Sequence, residues 1–203
     1  MAIAIEGFTS IATGSTANAG TASSTITVPA NTTFLLVAVS TYHSTANSLS
    51  NGVVKFTKGA SQTNMTLVHA GGNASTSAFM SCMWYMTAPD TGSNKQLDWD
   101  WAGTVATNNP NLFGLMFLSG VDQGATPLRA QSATQAGSLP YTSASMTGQS
   151  GDLIVACAGY YQGSTDGTIN SWSNLTEYSE VTADSNSDMT WATNALTGSF
   201  TNT

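Results

Sequence analysis

The stretch LFGLMFLSGVDQGATPLRA, Leu112 to Ala130, carries an apolar run straight into Ser119-Gly120 and then into a polar corner. Leu112–Leu118 is apolar at odd and even positions alike. A strand with one wet face would alternate, so the run predicts a strand covered on both faces. Gly120 breaks it. Asp122 carries the short acceptor that folds back onto nearby backbone N–H groups to shape a turn. Pro127 keeps the next segment from extending the same ladder. The acid has no chemical partner beside it, so Gly120, Asp122 and Pro127 read as a structural corner rather than a catalytic elbow or a metal loop.

Outward from this stretch the period is two, not 3.6. Strands are expected near 3–11, 24–28, 34–42, 52–58, 64–69, 77–87, 95–102, 112–119, 141–147, 152–161, 175–182 and 187–195. Gly, Asn, Ser and Pro clusters such as VPANTT, HAGGNAS, APDTGSN and TGQSGD separate them. Ser and Thr fill more than a quarter of the chain. They compete with helical backbone hydrogen bonds, and Thr suits strands. FLLVAVS and DLIVACAGYY, like FGLMFLS, are apolar on both faces and predict central strands. KQLDWDWA alternates: Leu97, Trp99 and Trp101 face one way, and Gln96, Asp98 and Asp100 the other. The pattern predicts an all-β protein with little or no helix, an antiparallel β-sandwich of about a dozen short strands in one domain spanning residues 1–203. Residues 1–23 read as an opening strand plus a flexible Gly/Ser/Thr-rich loop, able to pair locally or to reach a neighbouring subunit as an arm.

Composition narrows the function. The 203 residues hold 41% hydrophobic side chains but 7% charged ones, against about 25% in ordinary soluble domains. Four basic residues face eleven acidic ones, a net charge of −7. Such a chain cannot neutralise a run of phosphates, which argues against nucleic acid, and an anionic membrane is disfavoured for the same reason. Its surface must be built from Ser, Thr, Asn and Gly, which suits close packing in an assembly or contact with neutral glycans. MAIAIEGFTS lacks the basic and apolar regions of a signal peptide, so the chain is expected to be made and folded in a cytoplasm.

The reactive inventory is thin. No G-x-S-x-G elbow exists, and GQSGD at 148–152 precedes a strand rather than a helix. His43 and His69 each end an expected strand. Cys82 and Cys157 sit mid-strand and read as buried thiols outside any disulfide. Asp98 and Asp100 lie about 7 Å apart on one strand face. That spacing could serve glycoside hydrolysis, but a charged face that blocks edge pairing is the reading to prefer. DSNSD, Asp184 to Asp188, opens like a calcium loop but places Met189 where the turn needs Gly and Ala195 where Glu is required. Trp84, Tyr85, Trp99, Trp101, Tyr160, Tyr161, Trp172 and Trp191 could supply flat platforms for sugar rings, though Trp84, Trp99 and Trp101 read as core. Trp172, with Tyr160 and Tyr161, is the best surface candidate for contacting a glycan or a partner. No catalytic residue, cofactor or metal is expected, and the chain reads as a non-enzyme.

Several stretches together resemble a known module. STITVPANTTFLLVAVSTY, CMWYMTAPDTGSNKQLDWDW, LMFLSGVDQGATPLRA and GDLIVACAGYY occur in that order. They are similar to jelly-roll-like β-sandwich modules of bacteriophage virion proteins and some bacterial surface proteins, over roughly Ser24 to Tyr161. Members often have NPP where this chain has TAPD, Thr87 to Asp90. The resemblance implies a virion structural protein, foremost a capsid cement or decoration protein on the shell exterior. Its expected partners are further copies of itself, as a homotrimer, and a major capsid protein. A receptor-binding or adhesin head that recognises surface glycans is the second expectation.

Overall fold

The computed structural model describes residues 2–13, 21–43, 51–71, 78–101, 111–124, 127–131, 146–161, 172–184, 187–198 and 200–201. Among them there are fourteen strands and no helix. The first nine are β1 (Ala4–Thr13), β2 (Thr21–Val28), β3 (Phe34–His43), β4 (Val53–Lys58), β5 (Ser61–Asn64), β6 (Thr66–Gly71), β7 (Ala78–Thr87), β8 (Gly92–Asp100) and β9 (Asn111–Ser119). They form two sheets, β1-β9-β3-β7-β6 and β2-β8-β4-β5. The antiparallel pairs β1·β9, β2·β8, β3·β7 and β4·β5 are nested, as if one long hairpin had been drawn out and rolled up. The pairs β3·β9 and β4·β8 close the roll. This is jelly-roll order on a β-sandwich.

The remaining strands are β10 (Thr147–Gly148), β11 (Leu153–Tyr161), β12 (Thr176–Asp184), β13 (Ser187–Ala195) and β14 (Phe200–Thr201). β11, β13 and β12 make a third sheet in that order, and β10 pairs with β14. The third sheet packs on the face of the five-stranded sheet that the roll leaves outside, so the five-stranded sheet is a middle layer. Alternation along β3 shows it. Leu35, Val37 and Val39 point to the four-stranded sheet, whereas Phe34, Leu36 and Ala38 point to the third sheet. β9 does the same, with Phe113, Leu115 and Phe117 on one side and Leu112 and Met116 on the other. The doubly apolar runs of β3 and β9 are therefore covered on both faces.

One glycine sets how closely the outer layer approaches. Trp191 of β13 is fully buried against β9 at Gly114, where any Cβ would run into the indole. Phe8 of β1 meets the same indole edge-on, with centroids 5.5 Å apart. On the other face Trp99 lies over Phe113 at 4.3 Å, and Trp101 donates its indole N–H to the buried Asn111 Oδ1 at 3.3 Å.

Two expectations need correction. DLIVACAGYY is not a central strand: β11 lies at the edge of the third sheet, and Leu153 to Gly159 are all half-buried. The central place belongs to β13, where Thr190 and Ala192 are buried on the face opposite Met189 and Trp191. Small and apolar side chains suit edge and centre alike, so composition could not separate the two. The strand expected over 64–69 also needs new bounds: it is β6 from Thr66, preceded by the separate β5, because Met65 turns inward and its N–H donates to Val54 O at 2.8 Å. Most of the strand expected at 141–147 lies outside the described residues. The opening strand pairs with β9 of its own chain.

Candidate functional site

The corner that follows β9 is built from its sequence. Gly120 sits at φ +74°, and a side chain there would collide with the backbone carbonyl of Ala2. Position 120 is thus closed to other residues on two counts. Ser119 donates its hydroxyl to Glu6, fastening β1 beside the corner. Asp122 Oδ1 accepts the Gly124 N–H at 2.9 Å, and Gln123 Nε2 donates to Val121 O at 2.8 Å. Val121 and Leu128 drop onto the outer core.

Beyond Pro127 the chain runs past the edge of the middle sheet and makes two adjoining clefts, of about 310 and 380 Å³. Thr66, Tyr85 and Pro127 line both. Tyr85 is held by a parallel stack on Phe34, with centroids 5.4 Å apart and planes 12° apart. Lys58 lines the first cleft and donates to Thr87 O at 2.8 Å. That bond also ties down the TAPD turn, whose Ala88 has φ +48° and donates its N–H to Thr33 O at 2.7 Å. Arg129 and Gln131 line the second cleft. Arg129 grips Asp152 through Nε at 2.7 Å and Nη2 at 3.4 Å, binding the segment to the start of β11. The hydrogen bond from Arg129, helped by the N–H of Gln149, holds the Asp152 carboxyl below the usual range despite some burial. Among the described residues no carboxylate, imidazole or thiol lines either cleft. What the lining offers is a flat ring, hydroxyls, amides and cations, which can hold a ligand by stacking and hydrogen bonding.

The other candidates are dispersed. Trp172 is half-buried, and its indole N–H is enclosed without a hydrogen-bond partner. Tyr160 and Tyr161 end β11 opposite Asp188 and Ser187, and their side chains lie outside the described residues. Asp98 and Asp100 share the outer face of β8. There Asp98 accepts from Gln96 Nε2 at 2.7 Å and stands in register with Lys55. His43 and His69 pair with opposite sides of β7, at Ala78 and Met83, roughly 17 Å apart along the strand. Cys82 faces the inner core and Cys157 the outer one, on opposite sides of the middle sheet, and they form no disulfide. Burial pushes the Cys157 thiol well up, away from nucleophilic use. The DSNSD stretch joins β12 to β13, with Asp184 paired to Ser187. Among the described residues no three His, Cys, Asp or Glu side chains gather to hold a metal.

Tyr85 is among the aromatic side chains that the sequence offers as stacking platforms, and it lines both clefts. Lys58 and Gln131 escaped the reading of the sequence, Lys58 being an ordinary strand-end lysine. A faint signal existed: in a chain with four basic residues, Lys58 and Arg129 flank the two stretches that meet at the corner. Comparison of the sequence with protein-family models and with curated proteins finds no match in either.

Proposed function

We propose that this protein is a non-enzymatic virion component, a capsid cement or decoration protein that stabilises a shell through protein–protein contact. The observation that carries the reading is the nested strand order. The stretches that resemble phage virion modules are the ones that build the roll and its flank: β2–β3, β7–β8, β9 with its corner, and β11. Composition supports it. With 7% charged residues, the surface has little electrostatic repulsion to keep copies apart. Such a surface suits a homotrimer seated on a major capsid protein, where buried area between symmetric copies does the work.

The test is a copy count in purified particles that contain the chain, by quantitative mass spectrometry together with imaging of intact shells. Cement requires copies on the order of the number of shell subunits, on the outer surface. A handful confined to one vertex or to a tail would overturn the reading.

A further inference from the structure

We infer that the two clefts beside the corner form one groove for an oligosaccharide bearing a carboxylate, with Tyr85 as its platform and Lys58 as its carboxylate contact. The inference stands apart from the shell reading, since a copy count tests that one and a titration tests this one.

Four features converge. First, two open clefts of about 310 and 380 Å³ adjoin through shared walls, making one shallow surface groove of the kind an extended ligand could lie along. Second, its central ring is preorganised. Tyr85 rests on Phe34 in a parallel stack, so it need not be ordered when a ligand arrives. A rigid aromatic surface matches the C–H face of a pyranose. Third, the surrounding groups are neutral donors and acceptors, chiefly Asn64, Thr66 and Gln131. Amides and hydroxyls both give and accept, as the alternating hydroxyls of a sugar demand.

The fourth feature is charge. The chain carries −7, yet among the described residues no acidic side chain lines the groove, while two of the four basic residues do. Arg129 is matched by Asp152. Lys58 gives one N–H to Thr87 O, and an ammonium has three to give. Its remaining donors and its charge favour one carboxylate at the mouth of the first cleft. The acidic remainder of the molecule argues against a polyanion such as nucleic acid.

The full chain is titrated calorimetrically with a uronic-acid trisaccharide, a sialylated trisaccharide and the carboxyl-reduced form of each. At least one acidic sugar is expected to bind about tenfold tighter than its reduced form, the scale of one charge-assisted hydrogen bond. Lys58→Gln keeps a donor for Thr87 O and should erase that preference, so that the acidic sugar binds no tighter than its reduced form. Tyr85→Leu should weaken both forms several-fold and Tyr85→Phe neither, with thermal melts confirming that each variant is folded. The inference is overturned if no acidic sugar binds at millimolar concentration, or if the preference survives Lys58→Gln.

Discussion

The two faces of the middle sheet are held in different ways. On the inner face, Trp84, Trp99, Trp101, Phe56, Phe113 and Phe117 share one closed core with the four-stranded sheet. On the outer face Trp191 is clamped between Gly114 and Phe8, and Phe34 stacks on Tyr85. Around these rings lie half-buried side chains such as Ile5, Leu153 and Cys157. Many rings wedged into one another distribute the cohesion of the inner core. Outside, fewer rings carry it, and the Trp191 contact with Gly114 is the largest one that the third sheet makes with β9. The jelly roll should therefore behave as the stable body, and the third sheet as a layer whose attachment is locally controlled.

The strongest attempt to break this contrast is Trp99→Ala. Its ring is 2% exposed and lies 4.3 Å from Phe113. Deleting it should cost about 3–5 kcal/mol, because the void opens where nothing can collapse. Denaturant unfolding should shift to a lower midpoint with all probes moving together. If only the third sheet loosened, the inner core would not be the common body.

Gly114→Ala comes next. The added methyl displaces the Trp191 indole from its seat, an overpacking of about 1–3 kcal/mol. Here the effect should be local. Amide exchange should quicken through β11, β12 and β13 while β2, β4 and β8 keep their protection. Cys157, on the outer side, should become open to a thiol reagent in mild urea before Cys82 does. Simultaneous labelling would show that the two layers unfold as one.

The same contrast governs what the sequence discloses. The inner face was legible because β8 alternates strictly, so Leu97, Trp99 and Trp101 declare their side. The doubly apolar β3 and β9 likewise announced a sheet covered twice. The partner of the second face was not legible. β13 contains Thr190, Thr193 and Asn194, and nothing in that composition marks Trp191 as the clamp or β13 as the centre. β11 looked central because apolar runs at a sheet edge and in a sheet interior have the same spelling. The groove failed for a related reason. Tyr85 shares its face of β7 with Met83, and only three-dimensional placement decides which of them lines a cleft.

Acid should separate the corner from the rest with a smaller effect. Asp152 has its folded-state pKa depressed, chiefly by the Arg129 hydrogen bond. Its contribution is fully present above the unfolded value near 3.9 and is lost as pH falls through the lower folded value. Asp152 is 27% and Arg129 51% exposed, so solvent screening leaves the pair a small contribution. Asp152→Asn should lower stability slightly at neutral pH. Below the depressed folded value it should match the parent, because there the parent carboxyl is itself protonated. Chemical shifts of Leu128 to Gln131 should move in the variant, while those of β8 should not.

Glu180 gives the opposite sign and the smallest effect. It stands on β12 in register with Thr190, and its carboxyl is raised above the ordinary range by burial first, then by Asp188 and Glu177. A carboxyl whose folded pKa is raised destabilises the fold when ionised. That penalty is complete above the folded value and disappears as pH drops below the unfolded value near 4.3. Glu180→Gln should therefore stabilise the protein at pH 7 by a few tenths of a kcal/mol, since much of the side chain is in water. At pH 3 the gain should vanish, whereas the cost of Asp152→Asn fades only below that carboxyl's depressed folded value. Thermal melts of the two variants against pH should thus converge on the parent from opposite sides. Two parallel profiles would mean that neither burial nor the neighbouring carboxylates raise Glu180.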